Sequence, residues 1–254
     1  MLAKQLATLQ FLSNNRVILG AGVGWYAPEF EAVGVYKSER GRRTDEIMDI
    51  MLPLLRGERL SYDGEFYRVT DVYVEPPAPR PPEIWIGGGS QLADSSSPEL
   101  ARLVEPVKAR VLRSDGWIAR PTCPPGDIAR DWDELQQYLS DHGRDPSTYV
   151  VAHENFLHLV RTDDSRDARA AQHAAFMRVM SAERGPDYLE SVYLFGTPDE
   201  IVASLQARID AGVQYFMLHT MTPDPAQLYE WTARILPNLR FPQAAQTALA
   251  RAAL

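Results

Sequence analysis

Cysteine is almost missing from this chain: Cys123 stands alone among 254 residues. A single thiol excludes an internal disulfide and fits a reducing compartment, so a cytoplasmic location is expected. No group of cysteines and histidines has the spacing of a zinc site. Positive charge is also in deficit, with 26 Lys and Arg against 34 Asp and Glu and a formal net charge of -8. There is no basic stripe interleaved with aromatics, which argues against a nucleic-acid partner. No apolar run approaches the roughly 18 residues of a membrane span. The start, Met1-Leu2-Ala3-Lys4-Gln5-Leu6, is an amphipathic opening and not a signal peptide. What remains is an ordinary globular composition, 45% hydrophobic and 24% charged, in a chain long enough for one large cored domain.

Helical patterns alternate with short apolar strands. Leu2, Leu6, Leu9 and Leu12 mark a helix face that stops at Ser13-Asn14-Asn15. The run Arg16-Val17-Ile18-Leu19 then leads a strand into Gly20-Ala21-Gly22-Val23-Gly24-Trp25. Ile47, Met48, Met51, Leu54 and Leu55 mark a second helix closed by Arg56-Gly57. Asp63-Gly64 between alternating aromatics signals a hairpin over residues 60–69, and the proline-rich stretch 76–82 is an extended connector. A strand is expected at Glu83-Ile84-Trp85-Ile86, ending in Gly87-Gly88-Gly89-Ser90. A helix should open at Ser97-Pro98-Glu99 and be interrupted at Pro106. Further strands are expected at residues 115–119, 149–160 and 214–219. Helices are expected around Ile128, Trp132, Leu135 and Leu139, over 165–184, from the capping box Thr197-Pro198-Asp199-Glu200, and around Leu228, Trp231 and Ile235. This alternation predicts a parallel sheet with helices outside it. Five main strands are legible, where a closed barrel of this type has eight.

Several constellations carry possible chemistry, each beside a plainer reading. Gly22-Val23-Gly24-Trp25-Tyr26-Ala27 formally matches a dinucleotide fingerprint, yet Pro28 follows and no clean helical pattern starts before about residue 39. Gly87, Gly88, Gly89 and Ser90 sit just past a strand, where backbone N–H groups and a hydroxyl can meet an anion; the plainer reading is a flexible turn. Arg40, Arg42 and Arg43 lie at a helix start, where cations oppose the dipole. One of them can face an anion while Glu46 pairs with another; otherwise they form a solvated basic turn. His158 and His219 fall toward strand ends, where a barrel places its proton chemistry. On a period of two, Glu154, Phe156 and His158 share one face, and His153 and Asn155 share the other. The plain reading of each histidine is a hydrogen-bonded core residue. His142 and His173 read as surface residues, and Cys123 as a loop thiol.

In order and spacing these landmarks resemble the luciferase-like monooxygenase superfamily of flavin- and deazaflavin-dependent oxidoreductases. The matching stretches are Arg16 to Trp25, Pro28-Glu29-Phe30, Arg40-x-x-Arg43-x-x-Glu46, Tyr62-x-Gly64-x-Phe66-Tyr67, Ile84 to Gly88, Asp115-Gly116-Trp117 and Gly196 to Glu200. The resemblance implies a TIM (β/α)8 barrel of the bacterial luciferase-like type, here N-terminally truncated with the first three strands missing. Residues 1–240 would form the partial barrel domain and 241–254 a C-terminal tail. It further implies a homodimer that binds FMN, reduced by a separate flavin reductase, or a deazaflavin, at the strand C-termini. The activity implied is oxygenation of a small organic substrate, with deazaflavin hydride transfer or a non-catalytic flavin-binding protein as alternatives. Gly87, Gly88, Gly89 and Ser90 look like the phosphate segment, helped by Arg40 or Arg43, since Val23 stands where bacterial luciferase has an arginine. His158 and His219 are the implied catalytic or pocket histidines. Phe156 stands where the sulfonate-oxygenating relatives carry an arginine, which argues against an anionic sulfonate substrate.

Overall fold

The computed structural model describes residues 1–92, 102–180 and 185–242. The expected helix start at Ser97 and most of the tail lie outside these residues; the helix expected over 165–184 ends at Val179, with Met180 extended. The chain divides into two compact units, Met1–Gly87 with Ala109–Gly116, and Gly88–Lys108 with Trp117–Leu254.

The first unit begins with helix α1 (Leu2–Leu12) and strand β1 (Ile18–Ala21). The helix has its predicted ends but not its predicted face. Ala3, Leu6, Ala7 and Gln10 are buried, whereas Leu9 and Leu12 are 51% and 72% exposed. Small alanines let α1 lie close on helix α3 (Arg40–Leu55). The Gln10 amide ties down the following chain, accepting from the Val17 N–H at 2.9 Å and donating to the Arg80 carbonyl at 3.0 Å. A short helix α2 (Ala27–Ala32) starts directly after the glycine run, with Pro28 in its first turn, earlier than the sequence pattern indicated. In α3 the predicted Met48, Met51, Leu54 and Leu55 face inward, and Gly57 ends it at φ +80. Strands β2 (Leu60–Asp63) and β3 (Arg68–Val72) form the expected antiparallel hairpin. Strand β4 (Glu83–Gly88) lies parallel to β1, in the register Leu19↔Ile84 and Ala21↔Ile86. It runs two residues further into the glycines than expected.

Helix α4 (Glu105–Leu112) starts beside Pro106 instead of being broken by it, because proline is compatible with a first turn. Strand β5 (Gly116–Ala119) is buried throughout. The second unit continues with α5 (Pro125–Asp141), β6 (Val150–Leu157), α6 (Ser165–Val179), α7 (Pro186–Val192), α8 (Pro198–Asp210), β7 (Tyr215–Thr220) and α9 (Ala226–Glu230). Strands β5, β6 and β7 lie side by side in that order. β6 and β7 are parallel, with Glu154 opposite Met217 and Phe156 opposite His219. Helix α8 opens with the predicted capping box, Thr197 accepting from the Glu200 N–H while Glu200 accepts from the Thr197 N–H at 2.7 Å. Helix α7 was not legible in the sequence.

The expected alternation and the five main strands are present. The described residues do not close an eight-stranded barrel, since closure requires every strand edge to be paired around the ring.

Candidate functional site

The two faces of the β6–β7 ladder carry opposite chemistry. On one face Phe216 and Leu218 pack onto a core of Leu157, Leu194, Ile201 and Leu205, which brings in α8. His153 and Asn155 are wholly buried. His153 Nε2 meets Asn155 Nδ2 at 3.0 Å and Arg208 Nε at 3.2 Å. A guanidinium can only donate, so this imidazole nitrogen carries no proton. Burial, then the Arg208 charge, push the imidazole down to about 3. Arg208 is 2% exposed, and burial lowers its guanidinium to about 10. Its remaining donors reach the Val192 carbonyl at 3.0 Å and Ser204 Oγ at 2.6 Å. This cluster joins β6 to α8 and to the end of α7, and it leaves His153 neutral and closed off.

Glu154, Phe156, Tyr215, Met217 and His219 share the other face. His219 Nε2 lies 2.9 Å from Glu154 Oε1, with side chains 49% and 39% exposed. The Phe156 ring sits 5.4 Å from the His219 ring. It meets Phe176 and Tyr193 edge-on at 5.8 and 5.6 Å. An accessible imidazole–carboxylate pair therefore stands beside an aromatic wall, at the C-terminal half of two parallel strands, where α/β folds place ligands. Such a pair can accept, donate or hold a proton on a bound molecule.

His158 lies just past β6 in a different setting. Its carbonyl accepts from Gln172 Nε2 at 2.9 Å, and its buried Nδ1 has no hydrogen-bond partner. Burial, then Arg178, lower its pKa and favour the neutral ring. His173, expected at the surface, is partly buried and tied to Glu190 at 2.7 Å. His142 caps α5 and is exposed as expected. Cys123 is fully buried, and its thiol is held up chiefly by desolvation, which keeps it protonated.

At the glycine turn, Ser90 donates both its N–H and its hydroxyl to the buried Asp131 carboxylate, at 2.6 and 2.7 Å. Burial raises the Asp131 carboxyl, against the pull of these two bonds. Gly89, at φ +114, has Asp131 and Trp117 atoms 3.0 Å from where a Cβ would sit. Trp117 Nε1 donates to the Gly88 carbonyl at 3.0 Å. These glycines therefore admit the chain's own tryptophan and aspartate. The cation beside the turn is Arg130, 53% exposed, which donates to Ser90 Oγ at 3.1 Å and pairs with Asp127 at 2.6 Å. Sequence reading missed both Asp131 and Arg130. The available signal was a carboxylate one turn from Ile128 and Leu135 on an apolar helix stripe.

In the first unit the arginines of α3 are engaged locally. Arg40 donates to the Lys37 carbonyl at 3.0 Å. Arg42 pairs with Glu65. Arg43 pairs with Glu39 at 2.9 Å and lies 4.3 Å over the Phe66 ring. Its hydrogen bonds to Tyr67 and Glu39 raise its pKa further. Glu46 holds no arginine; its carboxylate accepts the N–H groups of Glu65, Phe66 and Tyr67, at 2.7, 3.0 and 3.0 Å, and so caps the hairpin loop. A Cβ on Gly64 would lie 2.5 Å from Glu46 Oε2. The Arg43, Glu46, Gly64 and Phe66 landmarks thus have one joint structural cause.

Fold and site describe an α/β protein with parallel strand pairing and an open polar pair near the strand ends. The sequence profile of the luciferase-like monooxygenases matches residues 1–215, and the chain belongs to that family. Among curated relatives, it is 29% identical to the F420-dependent hydroxymycolic acid dehydrogenase of Mycobacterium tuberculosis, over 94% of this chain and 66% of that protein. It is 33% identical to the FMNH(2)-dependent dimethylsulfone monooxygenase of Pseudomonas putida, over 43% of this chain and 33% of that protein. The chain spans about a third of the length of several curated relatives it matches. A solved F420-dependent secondary alcohol dehydrogenase superposes with a TM-score of 0.76 at 16% identity, covering 94% of this chain and 74% of that one. The oxygenating constituent of 3,6-diketocamphane monooxygenase from Pseudomonas putida gives 0.66 at 16% identity, covering 95% and 76%. The described residues include no helix long and apolar enough to cross a membrane.

Proposed function

We propose that this chain is a flavin-dependent oxidoreductase that binds reduced FMN and oxygenates a small organic substrate. The observation that carries this reading is the Glu154–His219 pair on the open face of β6–β7, beside the Phe156 wall. His219 is the group that holds or moves a proton on the bound molecule, with Glu154 fixing its Nε2 side. His158, neutral and half-buried, is a second proton-handling group past the strand end. When bound, FMN supplies the redox chemistry. Its phosphate suits the turn Gly87, Gly88, Gly89 and Ser90 only in part, because both Ser90 donors are committed to Asp131. Arg130, exposed at that turn, fits an anion better than Ser90 does. Arg40 and Arg43, in the first unit, are engaged by the Lys37 carbonyl and by Glu39.

A second reading, hydride transfer through a deazaflavin, is favoured by one observation: a relative matched along 94% of the chain is F420-dependent. Fluorescence titration with FMN and with F420 separates the two. Binding of FMN, with oxygen uptake when a flavin reductase and NADH are added, supports the first. Binding of F420 alone supports the second, and binding of neither contradicts both.

A further inference from the structure

We propose that Gln172 and Gln227 are positioning residues that fix His158 past the end of β6, and that His158 meets a bound molecule as a hydrogen-bond donor through Nε2. This rests on the reading of His158 as a proton-handling group of the same site. The ladder stops just before it: Leu157, the last residue of β6, lies opposite Thr220 on one side and bridges Leu194 on the other. Beyond that rung two glutamines take the place of neighbouring strands. Gln172, wholly buried on α6, donates to the His158 and Gly196 carbonyls, each at 2.9 Å, and accepts from the Gly196 N–H at 2.7 Å. Gln227, buried on α9, accepts from the Leu159 N–H at 2.8 Å and donates to the Leu159 carbonyl at 3.0 Å. The peptide unit that follows His158 is therefore held at its oxygen from α6 and at its nitrogen from α9. A primary amide offers donor and acceptor together, as a strand edge does. The imidazole depends on this clamp, because no hydrogen bond to its buried Nδ1 orients the ring. Burial, then Arg178, favour the neutral ring, which carries one proton. A buried N–H is left without a partner less readily than a buried acceptor, so that proton sits on Nε2. Of the two ring nitrogens only Nδ1 is sealed without a partner, which leaves Nε2 open to a ligand.

The test is ring-nitrogen NMR of the whole chain at about pH 8, where an ordinary imidazole is neutral. His142 is the internal reference, because its Nδ1 must carry a proton to reach the Tyr138 carbonyl at 2.8 Å. His158 is expected to show the opposite pattern, with the Nε2–H form in excess by at least about tenfold. Gln172→Glu and Gln227→Glu keep the side chain's size and lose its amide donor. Each should shift the His158 ring resonances and leave those of His142 in place. Asp145→Ala, which uncaps the turn before β6 and touches neither clamp, should leave both in place. A His158 ring protonated on Nδ1, or evenly on both nitrogens, in the unaltered chain overturns the inference. So do His158 resonances that neither glutamate variant moves, or that Asp145→Ala moves as far. The measurement needs no cofactor, so its failure is distinguishable from failure of the oxidoreductase reading, which the FMN and F420 titrations test.

Discussion

Two histidines on the β6–β7 ladder, His153 and His219, belong to the same residue type and meet opposite fates. His153 lies under α8, neutral, accepting from Arg208 and Asn155. His219 lies on the other face, half-exposed, against a carboxylate. The covered face spends its polar groups on holding elements together. The open face keeps its polar groups accessible, and accessible groups are the ones that do chemistry. Strand alternation separates the two sets; the helices decide which set is covered.

The largest effect that would break this contrast is on stability. Arg208→Ala removes a fully buried side chain and one of the donors to His153 and Val192, leaving Asn155 as their remaining donor, and should cost roughly 2–4 kcal/mol in denaturant unfolding. If it costs no more than a surface change, the covered face is not the strut described. The second effect is on pH. His153 binds its proton more weakly folded, at about 3, than unfolded, near 6.5. The unfolded chain therefore binds more protons between these values. Stability contributed by neutral His153 is fully present above about pH 6.5 and lost as pH falls, at up to about 1.4 kcal/mol per pH unit. His153→Gln should flatten that slope, and an unchanged slope would remove His153 from the account. A smaller effect sharpens the same face: Thr197→Ala uncaps α8, which carries Arg208, and should cost about 1 kcal/mol, measured as a shift in the denaturant midpoint. Smallest is His219→Ala, which should alter stability by less than about 0.5 kcal/mol.

Much of the fold was legible because periodicity reports elements well. Helix α3, the hairpin, α5 and the capping box of α8 follow their patterns. The face of α1 was misjudged because leucines outnumber alanines there, while the side that is buried is Ala3, Leu6, Ala7 and Gln10. Partners distant in sequence left no local signal: Glu46 caps a hairpin loop about twenty residues on, and Asp131 holds Ser90 across forty-one. His219 was visible as a strand-end histidine, but its partner Glu154 becomes evident only once β6 and β7 are laid in register. The eight-stranded closure came from family likeness, and the described strands do not supply it.

The central claim, that chemistry belongs to the open face, is tested most directly by following both imidazoles by NMR during titration with FMN and with F420. The account predicts that the bound cofactor shifts the His219 ring resonances and leaves those of His153 in place. A cofactor that binds while His219 stays unmoved, or that moves His153 instead, would contradict it.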